Sequence, residues 1–209
     1  MILSLVIIAI IALMIIAAKS TEGTSTLTPS MLETLKTEGQ LKGSKDAKVV
    51  LIEFSDLECP ACRAYSSIVK KIREEDTSKG LAFIYVHFPL PQHTHAFEAA
   101  YAAEAAGMQG KFWEMHDLLF ENQLTWAATN DVKPLFLTYA RKLGLNEEKF
   151  NTDVQSQAVQ DKVDKNYQEG IGIGIDSTPT FFLNGVKLVN PQSEAEFQNL
   201  INQALNAKS

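Results

Sequence analysis

Cys59-Pro60-Ala61-Cys62 is the segment best equipped for chemistry, and it holds both cysteines of the 209-residue chain. Two thiols separated by two residues can close a small disulfide ring and open it again. Such a pair exchanges two electrons with another protein through a mixed disulfide. The segment lies where the strand formers Val49-Val50-Leu51-Ile52-Glu53-Phe54 give way, through Ser55-Asp56-Leu57-Glu58, to a helical pattern. Pro60 suits the first helical position, where a backbone N–H would have no partner in any case. Cys59 then falls at the N-cap end of the helix, where free N–H groups and the helix dipole stabilise a thiolate. Cys62 lies one turn further in and away from water. The expectation is a low-pKa nucleophile at Cys59 and a resolving thiol at Cys62.

Other readings of the pair stay open at this level. Half of a zinc site needs further ligands, but there is no second cysteine pair, and His87, His93, His95 and His116 show no regular ligand spacing. A passive structural disulfide would close too little chain to stabilise much. A peptide-binding module without redox chemistry is a third reading, from a different functional class.

The elements that must position the pair follow from the pattern. The strand over 49–54 is apolar on both faces, as a central strand covered on both sides should be. Ala61, Tyr65, Ile68 and Ile72 recur at helical spacing up to about Glu75, and Leu81 to Phe88 forms a second buried strand. This is a βαβ unit with a parallel strand pair. A long helical stretch follows: His95 to Met108, Phe112 to Asn122, Val132 to Leu143, Glu147 to Gln155 and Ala158 to Glu169. Thr180–Leu183 and Val186–Val189 flank Asn184-Gly185, a strong hairpin signal. An amphipathic helix over Ser193–Leu205 turns Phe197, Leu200, Ile201, Ala204 and Leu205 inward. The summed order is βαβ, an all-helical insert, then ββα.

The N-terminus reads differently. Residues 2–18 contain one polar side chain, Ser4. As a helix they would span about 26 Å at roughly 1.5 Å per residue, the short end of a membrane crossing. Neither a polar stripe nor a basic n-region is present, which favours an uncleaved signal anchor over a core helix or a cleaved signal peptide. Lys19 to about Pro29 is rich in Ser and Thr and reads as a tether. A short helix with Met31, Leu32 and Leu35 on its apolar face then runs from Thr28-Pro29-Ser30 to Gly39. The expected layout is an anchor over 1–19, tether and short helix over 20–40, and one domain over 41–209. The rest of the chain is of ordinary globular composition, with 45% hydrophobic and 21% charged residues overall. A net charge of −6 without a basic run argues against nucleic acid as a partner.

Residues from about Leu41 onward resemble the DsbA-like branch of the thioredoxin superfamily. The resemblance rests on Val50 to Cys62, the Ala-rich helix after His95, Phe112-Trp113-Glu114-Met115-His116, and Ser177-Thr178-Pro179-Thr180-Phe181-Phe182. It implies an α/β, thioredoxin-like fold with an all-helical insertion at about 92–170. It also implies a cis-proline at Pro179 that packs against the cysteines and helps bind substrate. Thr178 would then offer its backbone to an extended substrate strand, beside Pro60 and Ala61. Glu53 stands six residues before Cys59, where the family carries a buried acid. Buried, it would have a raised pKa and could relay a proton to or from Cys62. Unburied, it would be a strand-end surface charge.

Glu58 is a tuning residue or a solvated loop charge, Trp113 and His116 belong to the core of the insert, and His95 is assigned no role. The implied activity is a thiol–disulfide oxidoreductase without metal or cofactor, acting on thiol-containing exported proteins and regenerated by a membrane redox partner. The domain is expected on the extracytoplasmic side of the cell membrane. The family's strongest oxidants carry a His between the cysteines. Ala61 cannot supply one, so a reducing or isomerising direction stays open.

Overall fold

The computed structural model describes residues 26–207. The anchor expected over residues 1–19 lies outside them, and no described helix is long and apolar enough to cross a membrane.

A five-stranded sheet carries the fold, in the order β1 (Gln40–Lys42), β3 (Leu81–His87), β2 (Val49–Ser55), β4 (Thr180–Leu183), β5 (Val186–Lys187). The central pair, β2 and β3, is parallel, and the other pairings are antiparallel. All seven residues of β2 and of β3 are buried, because helices cover both faces. Helix α2 (Pro60–Glu75) connects the two strands, and α1 (Pro29–Glu38) is the first helix among the described residues. The insert follows as α3 (Ala96–Gly107), α4 (Phe112–Glu121), α5 (Gln123–Trp126), α6 (Lys133–Lys142), α7 (Glu147–Val154) and α8 (Gln157–Gly172). A closing helix, α9 (Glu194–Asn206), follows the hairpin.

The alternation of β2 side chains divides the core. Val49 and Leu51 face a cluster that includes Cys59, Cys62, Ile72, Phe83, Tyr85, Met115, Trp126 and Phe197. Val50, Ile52 and Phe54 face Leu27, Leu35, Ile84, Val86, Phe88, Ile175 and Phe182. The strand thus sends Glu53 to the face that holds the cysteines. Asn184 and Gly185 both have positive φ, 49° and 80°, the geometry that a two-residue hairpin turn requires.

Several expectations change. The fold takes in residues from Thr26 onward rather than from 41. Leu27 N–H donates to the Gly185 carbonyl at 2.8 Å, and Leu35 is buried under the sheet. Strand β1 was not expected, since three half-exposed residues at an edge carry little pattern. The buried face of α2 is Cys62, Val69, Ile72 and Arg73, so Ala61 is exposed and does not belong to the apolar stripe. Helix α8 runs to Gly172, past the expected end at Glu169, and the four-residue α5 is additional.

Candidate active site

Cys59 occupies the N-cap of α2 in an extended conformation, with Pro60 as the first helical residue. Both cysteines are free thiols. Cys59 is 6% exposed and Cys62 is fully buried. The Cys59 thiol lies 3.5 Å from the carbonyl oxygen of Thr178, and the Thr178–Pro179 peptide bond is cis. Pro179 is buried, Thr178 half-buried, and Pro60 and Ala61 are exposed beside the nucleophile. The structure therefore gathers residues 119 or more positions apart in sequence around one sulfur atom.

The two sulfurs are electrostatically unlike. The neighbouring Cys62 thiol, then the Thr178 side chain and the backbone N–H groups of Cys62 and Ala61, favour the Cys59 thiolate. Together they lower the Cys59 pKa from 9.0 to about 5 against the opposing effect of burial. Burial pushes Cys62 well above the ordinary thiol range, and the neighbouring Cys59 and Glu53 raise it further.

Glu53 is 2% exposed, so it is a buried acid and not a surface charge. Burial lifts its pKa from 4.5 to about 7, with Ser55 and Arg73 pulling the other way. Its partner across the parallel pair is Tyr85, also wholly buried, whose hydroxyl lies 3.4 Å from the Ser55 carbonyl. Glu53 can thus hold or release a proton near neutrality beside a thiol that resists ionisation.

Glu58 turns away from the thiolate. Its carboxylate accepts the His95 N–H at 2.6 Å, at the start of α3. His95 stands at the N-cap position of that helix, its ring turned to Glu98 and to the Thr129 carbonyl, 3.1 and 3.0 Å away. His116 is buried beside Tyr85, with ring centroids 4.8 Å apart, and burial lowers its pKa to about 4. Trp113 packs against the same cluster. The remaining histidines are engaged as well: His87 with Glu104 at 3.1 Å and His93 with Asp56 at 2.6 Å.

Three residues that sequence reasoning passed over hold the site together. Asp56, 1% exposed, accepts N–H groups from Glu58 at 2.7 Å and Leu90 at 2.8 Å. The Asn190 amide donates to the Pro179 carbonyl at 2.7 Å. Gln123 reaches from the insert to the Leu57 and Cys59 carbonyls. The Asn190-Pro191 dipeptide is at least a turn signal. A lone glutamine in a helical stretch carries no signal at all.

Known proteins share this fold. The family model described as Thioredoxin matches residues 36–203. Oxidised BdbD from Bacillus subtilis superposes with a TM-score of 0.71 and 26% identity, over 82% of this chain and 95% of that one. Wolbachia pipientis alpha-DsbA1 superposes with a TM-score of 0.71 and 24% identity, over 80% of this chain and 90% of that one. Among curated proteins, the Na(+)/H(+) antiporter NhaA 1 of Mycolicibacterium vanbaalenii is 35% identical over 160 residues. That match covers 74% of this chain and 25% of the antiporter, so the chain spans about a quarter of the length of the curated relatives it matches.

Proposed function

The chain belongs to the DsbA-like branch of the thioredoxin superfamily, the thiol–disulfide oxidoreductases, and from that premise we propose that it oxidises thiols of exported proteins from a membrane-anchored position. The observation that carries this reading is the asymmetry of the pair: a stabilised thiolate at Cys59 above a buried, protonated Cys62. Stabilising the reduced form makes the disulfide form a stronger oxidant.

The exchange runs in two steps. A substrate thiolate attacks the Cys59 sulfur of the Cys59–Cys62 disulfide, forming a mixed disulfide and expelling Cys62. The leaving Cys62 sulfur, disfavoured as an anion by burial, takes a proton from Glu53. A second substrate thiolate then attacks the substrate sulfur of the mixed disulfide. Cys59 departs as the stabilised thiolate, and the substrate keeps the new disulfide. Two electrons have moved to the cysteine pair, and an oxidant of the membrane redox chain must remove them. Throughout, Pro179 and the Thr178 backbone form the wall against which an extended substrate segment would lie, with Pro60 and Ala61 at its open side.

No imidazole is needed for this asymmetry, because the Cys62 thiol, the Thr178 side chain and the N–H groups of Cys62 and Ala61 favour the Cys59 thiolate. That observation favours the oxidising direction despite Ala61. The apolar run over residues 2–18 supports a single-pass anchor that holds the domain on the extracytoplasmic side. Equilibrium with glutathione buffers, read by alkylation of the free thiols, tests the direction. The pair is expected to be reduced by mildly reducing mixtures. A pair that stays oxidised until the buffer is strongly reducing would assign reductase chemistry instead.

A further inference from the structure

Gln123 opens α5, in the middle of the helical insert, yet its side chain is spent on the redox loop. It is 2% exposed. Its single amide nitrogen donates to two carbonyls, those of Leu57 at 2.7 Å and Cys59 at 3.0 Å. The Cys59 carbonyl is also the first acceptor of α2, taking the Arg63 N–H at 3.1 Å.

Asp56 holds the other half of the same turn. Its carboxylate accepts the Glu58 N–H at 2.7 Å and its backbone carbonyl accepts the Cys59 N–H at 3.1 Å. The Leu57–Glu58 peptide is therefore clamped on both sides, its carbonyl by the insert and its N–H by Asp56. The Cys59–Pro60 peptide has no N–H, so its carbonyl is the only polar handle by which its plane can be set. Gln123 is itself firmly seated. The Trp126 indole N–H donates to the Leu119 carbonyl at 2.7 Å, and Trp126 is fully buried.

We propose that Gln123 is a positioning residue of the redox centre: its carboxamide sets the plane of the Cys59–Pro60 peptide and thereby holds the Cys59 sulfur at the N-cap of α2, against the Thr178 carbonyl. The insert thus contributes to the chemistry through one side chain, although it places no group on the sulfur itself. The inference rests on the redox function proposed above. It follows from geometry, since a peptide plane freed of the Gln123 bonds at 2.7 and 3.0 Å can rotate and carry the Cys59 sulfur off its place beside the Thr178 carbonyl.

Two variants of the full chain test it. Gln123→Leu keeps the bulk and removes both donated hydrogen bonds. Gln123→Glu donates one such bond when protonated and none when ionised. The measurements are the pH titration of thiolate absorbance, the glutathione equilibrium constant and the urea midpoint. Gln123→Leu is expected to raise the Cys59 pKa by about one unit and weaken the oxidising equilibrium roughly tenfold. Gln123→Glu, with one donor in place of two, should fall between the wild type and the Leu variant in acid and reach the Leu variant or beyond once its carboxyl ionises. A folded variant that loses only its urea midpoint, with thiolate titration and glutathione constant unchanged, overturns the proposal. If the Leu variant does not fold, the Glu variant decides by the same readouts. A wild-type Cys59 that titrates as an ordinary thiol would overturn the redox reading itself, whereas a low wild-type value indifferent to both substitutions removes only the role of Gln123.

Discussion

Replacing Cys59 by Ser in the reduced protein removes one ionisable group, and its consequence for stability can be worked out. The Cys59 pKa drops from 9.0 to about 5 in the folded chain. A depressed folded pKa contributes stability that is complete above the unfolded value and lost as pH falls through the folded one. At about pH 7 roughly two units of the gap are realised, a ceiling of about 3 kcal/mol. Water at the open side of the site screens part of this, leaving about 2 kcal/mol. Urea unfolding of the reduced wild type and of Cys59→Ser should therefore diverge as pH rises. The wild-type advantage should grow by about 2 kcal/mol between about pH 4 and about pH 7, with a slope approaching one proton per molecule. Both proteins keep Glu53 and Cys62, and because the Cys59 charge also raises those two groups, the difference reads the thiolate together with its coupling to them. A difference that stays flat over this range, or thiolate absorbance that rises only in alkali, would refute the stabilised Cys59 thiolate and the direction inferred from it.

Two further outcomes follow from buried groups. Burial raises the Glu53 pKa from 4.5 to about 7, so its ionisation opposes folding progressively above the lower value and fully above the higher one. Glu53→Gln should stabilise the protein by about 3 kcal/mol at mildly alkaline pH and by nothing in acid. It should also slow thiol exchange and remove the inflection near neutrality from its pH profile; an unchanged profile would exclude Glu53 from proton transfer. Gly170→Ala tests the packing of α8 on the sheet, because a Cβ there would stand 2.5 Å from Cδ2 of Phe88. The gain in helix propensity of about 1 kcal/mol should be outweighed by overpacking, for a net loss of about 1–2 kcal/mol in urea unfolding.

The parts of the site written as local pattern were legible before any coordinates. Cys59 and Cys62 are marked by their spacing and by the strand-to-helix junction, and both properties survive folding unchanged. The two central strands announce themselves as continuous apolar runs, and Asn184-Gly185 marks the hairpin by its backbone requirement. The boundary at residue 41 failed for the opposite reason. Leu27 and Leu35 are a few apolar residues in a polar stretch, and their burial depends on Ile84, Phe182 and the rest of the second core, far away in the chain. Ala61 is spaced in phase with Tyr65, Ile68 and Ile72, yet the buried face of the helix is Cys62, Val69, Ile72 and Arg73. The true face is rotated by one residue, so that Cys62 enters the core.

The order of residues alone sets out the chemistry available to this protein: one redox pair, a helix N-terminus beneath it, an acid and a proline at the expected separations, and an apolar segment ahead of the domain. Tertiary structure decided how that chemistry is tuned. It buried Glu53 and Cys62 and spared one side of Cys59, and desolvation acts on a charge only once a particular environment encloses it. It turned Glu58 toward His95 and away from the sulfur. It also brought Gln123 from the insert, and Asn190 from the segment after β5, onto the carbonyls flanking Cys59 and at Pro179. A hydrogen bond to a backbone carbonyl leaves no mark in the pattern of either segment, because any residue can present the acceptor and only the folded chain chooses the donor.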